Sequence, residues 1–206
     1  KVPSCTEAKQ RQFESFLATG RAVAAPRGAA ITAEQRDNLA LKVDRPRLLA
    51  ADSNPGDWLT SGRDFGKGHY SPLDQIDRDS VARLGFAWEY ATGTRRGLEA
   101  TPIVVDGVMY TSGVDGRVYA LNARNGREIW RFSRPRSSGL RGDAAIGFNR
   151  GAAVLGSRVF LVTDNAHLVA VSRVNGALLW EAVLPENTQQ PYGGTMAPLV
   201  VGDLAI

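Results

Sequence analysis

Tryptophans at 88, 130 and 180, an Asn-Gly pair ahead of the last two, and short Val-, Ile- and Tyr-rich runs punctuated by Gly, Asp and Asn predict an all-β fold. The predicted architecture is a partial β-propeller of four-stranded antiparallel blades preceded by an N-terminal helical extension. The tryptophans stand 42 and 50 residues apart, the length of a four-stranded blade.

Residues 1–51 form the predicted extension. Thr6 is placed to cap a helix whose apolar face is Phe13, Phe16 and Leu17, ending at Gly20. Thr32 through Gln35 reads as a capping box for a second helix, with Leu39 and Val43 on one stripe. Pro46 is expected to end that helix at or before Arg45. With few large apolar residues, the segment reads as an arm packed on its neighbour.

Residues 52–206 carry the repeat. Ile103 to Val105 and Val108 to Tyr110 flank Asp106-Gly107, a strong hairpin signal. Asp115 through Leu121 adds a strand, and Asn125-Gly126 leads to one containing Trp130. Fifty residues on, Val159 to Leu161, Asn165 to Val171, and Asn175-Gly176 to Trp180 repeat the order. Ala197 to Leu204 restarts it, matching Thr101 to Val108, and Phe86 to Trp88 closes an earlier partial copy. One blade buries only part of its sheet, so blades must stack, and the recurrent tryptophan is the natural inter-blade residue. About three blades are expected, fewer than a closed ring of roughly four to eight requires, so the chain reads as truncated.

Composition narrows function. Net charge is +4 with no run of like charges, which does not favour nucleic acid as a partner. No apolar run approaches the roughly 18 residues of a membrane span. Cys5 is the only cysteine, and there is no Cys-x-x-Cys-His to hold haem. His69 and His167 are isolated, which argues against zinc or copper; His167 is expected at the surface. Asp77 reads as the cap of a short helix leading to Val81 and Leu84, not as a Ca²⁺ ligand. Gly66-Lys67-Gly68 lacks the strand and helix of a phosphate loop.

The units Ala120–Trp130 and Ala170–Trp180 resemble the tryptophan-docking motif of quinoprotein dehydrogenases, A-x-D-x-x-T-G-x-x-x-W. Asn122 and Asn125, then Ser172 and Asn175, replace its Asp and Thr, and each can still accept a turn hydrogen bond. More specific are Trp58 to Arg63, Tyr70-Ser71-Pro72-Leu73-Asp74-Gln75-Ile76, Leu84 to Trp88, and Gly97 to Pro102. In order and spacing these are similar to the N-terminal part of the PQQ-dependent alcohol dehydrogenases, from about residue 57 onward.

That resemblance implies a periplasmic enzyme that oxidises an alcohol or similar hydroxyl substrate by hydride transfer to PQQ. Its electrons would pass to a cytochrome c or a membrane quinone. PQQ, a planar tricarboxylate o-quinone, would lie on the propeller axis above Ca²⁺ or a lanthanide. By the same resemblance Glu99, Arg150 and Thr195 contact PQQ. Each lies just ahead of the first strand of its copy, the strand that lines the axis of a propeller. Read singly, they are a loop carboxylate, an ion-pair partner and a strand hydroxyl. The metal ligands and the catalytic aspartate of the family would fall beyond Ile206, so this chain is expected to supply neither and to be inactive by itself. The family's adjacent cysteines are also missing, since Gly142 to Phe148 contains none. A non-catalytic PQQ-like-repeat propeller that binds proteins remains the alternative.

Overall fold

The structure, a computed structural model, describes residues 43–187, 192–202 and 204–206. The helices predicted before residue 43, with their caps at Thr6 and Thr32, lie outside the described residues. From Ile103 onward the chain folds as two four-stranded antiparallel meanders. The first is β1 (Ile103–Val105), β2 (Val108–Ser112), β3 (Arg117–Asn122) and β4 (Glu128–Ser133). The second is β5 (Ala153–Leu155), β6 (Arg158–Val162), β7 (His167–Ser172) and β8 (Leu178–Val183). A third copy begins with the hairpin β9 (Val200–Val201) and β10 (Leu204–Ala205).

Asp106 and Gly107 both take positive φ, 52° and 73°, as a tight hairpin turn demands, and bring Val105 opposite Val108. The two blades match in detail. Both shift register at the third-to-fourth strand pairing, after Ala120 opposite Trp130 and after Ala170 opposite Trp180. The expected turn bonds are present: Asn122 and Asn125 accept from Arg124 and Arg127 amides, Ser172 and Asn175 from Val174 and Ala177 amides. The tryptophan lies inside the fourth strand, which runs three residues past Trp130 and Trp180.

The tryptophans join blade to blade. Trp88 donates its indole N–H to the Ala123 carbonyl at 3.0 Å, and Trp130 donates to the Arg173 carbonyl at 2.8 Å. Each ring fills the space where the glycine of the following Asn-Gly turn would carry Cβ. That atom would come within 2.3 Å of Trp88 at Gly126 and 2.6 Å of Trp130 at Gly176. Both glycines also have φ of +71°, so the turn needs glycine for backbone and for space. Trp130 is buried, and Trp180 is 39% exposed among the exposed Leu178, Leu179 and Val183 of β8.

Ahead of the blades the structure shows a helix the sequence reading did not expect. α1 (Arg45–Leu49) has Pro46 in its first turn and Asp44 as N-cap, accepting from the Arg47 amide at 3.0 Å, while the helix expected to end at or before Arg45 lies outside the described residues. A first-turn amide has no intrahelical partner, so proline there costs nothing. Val43 bridges to Gly156, and Trp58 pairs with Val104 alongside β1. Val43, Leu48 and Leu59 enter the same core as Ile103, Tyr110, Val159 and Phe160.

The arm is held by buried charge. Arg47 makes a two-pronged contact with Asp106 at 2.5 and 3.1 Å, and reaches Asp57 at 2.6 Å. Asp57 in turn accepts the Asp106 amide at 3.0 Å. Arg173, wholly buried, approaches Asp106 at 3.2 Å from the second blade. Two arginines and two aspartates thus tie α1, the β1–β2 turn and the β7–β8 turn together.

Candidate functional site

The segments entering β1, β5 and β9 lie side by side. The Thr101 amide donates to the Arg150 carbonyl at 3.2 Å, and the Arg150 amide donates to the Thr195 carbonyl at 2.9 Å. Thr101 and Gly151 form a parallel bridge. Gly151, with φ of +143°, sits where a Cβ would meet Ala197 and the Thr101 carbonyl at 3.3 Å, so glycine permits the close approach of all three segments.

This backbone relay brings the three predicted residues together. Arg150 Nη2 lies 3.1 Å from Glu99 Oε2, and Arg150 Nη1 donates to Thr195 Oγ1. The side chains are 45% exposed at Arg150 and 36% at Glu99, so the cluster faces solvent. Arg150 is therefore an ion-pair partner, as one reading had it, and also the centre of a cluster drawn from three successive repeats. A planar guanidinium flanked by a carboxylate and a hydroxyl can bind a flat ligand carrying carboxylates and ring acceptors. Asn149 fixes the approach to Arg150: its Nδ2 donates to the Val162 carbonyl at 2.9 Å and its Oδ1 accepts the Gly151 amide at 3.0 Å.

The stretch from Gly142 to Phe148 contains a short helix that the sequence analysis missed, α2 (Gly142–Ile146). Its signal was Gly147, which ends the helix in the left-handed region at φ of +84°. Ala144 packs against Gly193, two residues before Thr195; a Cβ there would come within 2.4 Å of the Ala144 methyl. Among the described residues, no three His, Cys, Asp or Glu side chains gather as metal ligands. Asp77 caps the turn that leads into the short helix at Val81–Arg83, its Oδ1 accepting the Asp79 and Ser80 amides.

His167 is not the surface residue expected. Its side chain is 19% exposed and Nδ1 donates to Glu181 on the adjacent strand, while Nε2 faces the Asn165 amide at 3.1 Å. Arg134 reaches the same Glu181 oxygen at 2.6 Å. The Arg134 guanidinium, and after it His167, hold the Glu181 carboxyl below the usual glutamate range. A depressed folded-state value contributes stability above the unfolded value, and that contribution is lost as pH falls through the folded one. Thermal unfolding should therefore soften below about pH 4.5, and Glu181→Gln should flatten that part of the pH profile. A profile unchanged by the substitution would contradict the assignment.

Residues 58–193 match the family described as PQQ, glucose/ethanol/alcohol dehydrogenase, β-propeller domain. The quinohemoprotein alcohol dehydrogenase ADH-IIG of Pseudomonas putida is 41% identical over 160 residues, covering 77% of this chain and 22% of the relative. The 1-butanol dehydrogenase (cytochrome c) of Thauera butanivorans is 39% identical over 148 residues, covering 71% and 21%. The solved structure of the Pseudomonas enzyme superposes with a TM-score of 0.72 at 43% identity, covering 77% of this chain and 23% of that one. A europium-containing methanol dehydrogenase gives 0.69 at 29% identity, covering 78% and 28%. The chain thus spans about a fifth to a quarter of the proteins it matches.

Proposed function

Because the chain belongs to the PQQ glucose/ethanol/alcohol dehydrogenase β-propeller family, we propose that it forms one side of the PQQ pocket of an alcohol-oxidising enzyme. The observation that carries this reading is the Glu99–Arg150–Thr195 cluster, one residue from each of three successive repeats. Its donor set suits the cofactor. Arg150 would hold a PQQ carboxylate through its planar guanidinium, Thr195 would donate a second hydrogen bond, and Glu99 would accept from the ring side while keeping Arg150 oriented.

PQQ supplies an o-quinone, a two-electron acceptor for alcohol oxidation. The residues of this chain would bind and orient the cofactor. Ca²⁺ or a lanthanide would serve beside it, and among the described residues no three His, Cys, Asp or Glu side chains gather to hold that ion. The substrate is an alcohol or similar hydroxyl compound, the acceptor a cytochrome c or membrane quinone, and the compartment the periplasm. The relatives named as alcohol and 1-butanol dehydrogenases support the substrate class. Among the described residues no helix is long and apolar enough to cross a membrane.

Titration with PQQ, followed by the quinone absorbance, tests the pocket. Arg150→Ala should weaken binding by roughly tenfold to a hundredfold, the span of one charge-assisted hydrogen bond. Unaltered PQQ affinity in Arg150→Ala would overturn the assignment. So would a complete enzyme, supplied with PQQ and Ca²⁺ or a lanthanide, that reduces no dye with any alcohol.

A further inference from the structure

The helix α2 ends four residues before Arg150, and so short a helix leaves its last carbonyls without intrahelical partners. Here four consecutive carbonyls are taken. Ala144 accepts from the Gly147 amide at 3.0 Å and from Arg136 Nη2 at 3.5 Å. Ala145 accepts from the same Arg136 nitrogen. Ile146 accepts from Arg96 Nη1 at 2.8 Å, and Gly147 accepts from the Asp115 amide at 3.1 Å. One carboxylate aligns both guanidinium groups: Asp115 Oδ1 is 3.0 Å from Arg96 Nη1 and 3.4 Å from Arg136 Nε. Asp164 Oδ2, from the β6–β7 turn, lies 4.0 Å from Arg136 Nε. Gly147 also leaves room for this grip, since a Cβ there would fall 2.7 Å from Asp115 Oδ1.

These ion pairs are partly solvated, with Arg96 45%, Arg136 32% and Asp115 27% exposed. Partly exposed pairs contribute little to global stability. What they fix is local. The segment they hold leads through Asn149 into Arg150, and its other side, at Ala144, sets the position of Gly193 ahead of Thr195. We propose that Arg96, Arg136 and Asp115 act as positioning residues, a clamp on the α2 end that holds Arg150 and Thr195 in register for the cofactor. The proposal rests on the PQQ reading for its ligand and on the carbonyl contacts for the clamp.

Two measurements on the full chain test it. Hydrogen exchange, without cofactor, should show the Gly147 and Arg150 amides exchanging at least about tenfold faster in Arg136→Gln, with β3 and β7 amides unchanged. PQQ titration should show affinity lowered by roughly tenfold, with Arg136→Lys between wild type and Arg136→Gln, because a point charge reaches one of the two partner sets and not both. Arg131→Gln, which breaks the Arg131–Glu128 pair on β4, should leave both readings at wild-type values. Unchanged exchange in Arg136→Gln overturns the clamp. Faster exchange with unchanged PQQ affinity overturns its role at the site. A wild-type chain that does not bind PQQ overturns the cofactor reading, and the exchange result then decides the clamp alone.

Discussion

Replacing Arg173 by alanine is expected to lower the free energy of unfolding by about 3–5 kcal/mol, the cost of stripping one partner from a buried ion pair. The whole Arg173 side chain is out of solvent. Its Nη2 faces Asp106 at 3.2 Å, its Nη1 donates to the Gly156 carbonyl at 3.2 Å, and its guanidinium lies 5.9 Å from the centre of the Tyr110 ring. Removal leaves Asp106 with Arg47 as its remaining cation and opens a cavity beside Tyr110. Burial pushes the Tyr110 phenol above its usual range, so it stays neutral and adds no second negative charge beside Asp106. Urea denaturation of wild type and Arg173→Ala measures the loss directly. A double-mutant cycle with Asp106→Asn should give a combined loss smaller than the sum of the two single losses, because both side chains belong to one network that also includes Arg47. A loss below about 1 kcal/mol would mean that the network contributes geometry without energy.

Trp130→Ala should cost a similar amount, about 3–5 kcal/mol, by emptying the space between two blades. The indole packs on Gly176, lies 5.9 Å from Tyr110 between ring centres, and donates its N–H to Arg173. Trp130→Phe separates these contributions. It keeps most of the packing and leaves the Arg173 carbonyl without its donor, a loss of about 1–2 kcal/mol. The same substitution at Trp180, which has no glycine turn against it among the described residues and is 39% exposed, should cost much less. Equal losses at 130 and 180 would mean that the tryptophan acts within its own blade, against the inter-blade contact.

Much of this is legible in the residues alone. The Asp106-Gly107 and Asn-Gly turns carry their φ requirement in their residue types, so the hairpins and the tryptophan seats follow from local chemistry. Glu99, Arg150 and Thr195 follow from the family resemblance; all three lie just ahead of the first strand of a repeat, and the backbone relay at Thr101 and Arg150 brings those segments into contact, with Arg150 one residue out of step with the other two. What was missed depended on contacts distant in sequence. The exception is helix α1, which went unread although its signals, Asp44 as cap and Pro46 in the first turn, stand in the sequence. Arg173 stands where the first copy has Ala123, a break in the repeat that marked it, but its partner at Asp106 lies 67 residues away. His167 was taken for a surface group because Glu181 becomes its neighbour only through the β7–β8 pairing. The α2 clamp draws on Arg96, Asp115 and Arg136, from three separate loops, and no local pattern announces it.

The relay from Thr101 to Arg150 to Thr195 has an evolutionary consequence. Each repeat contributes one side chain from the segment ahead of its first strand, and main-chain bonds between those segments hold the spacing whatever the side chains are. In the proposed pocket, a mutation there would alter one point of ligand contact and leave the neighbouring points where they were. The chemistry of that pocket could therefore be rewritten one repeat at a time, with no intermediate that must rebuild the fold. The same arrangement would let gene duplication of a blade add a blank position to be filled afterwards by selection.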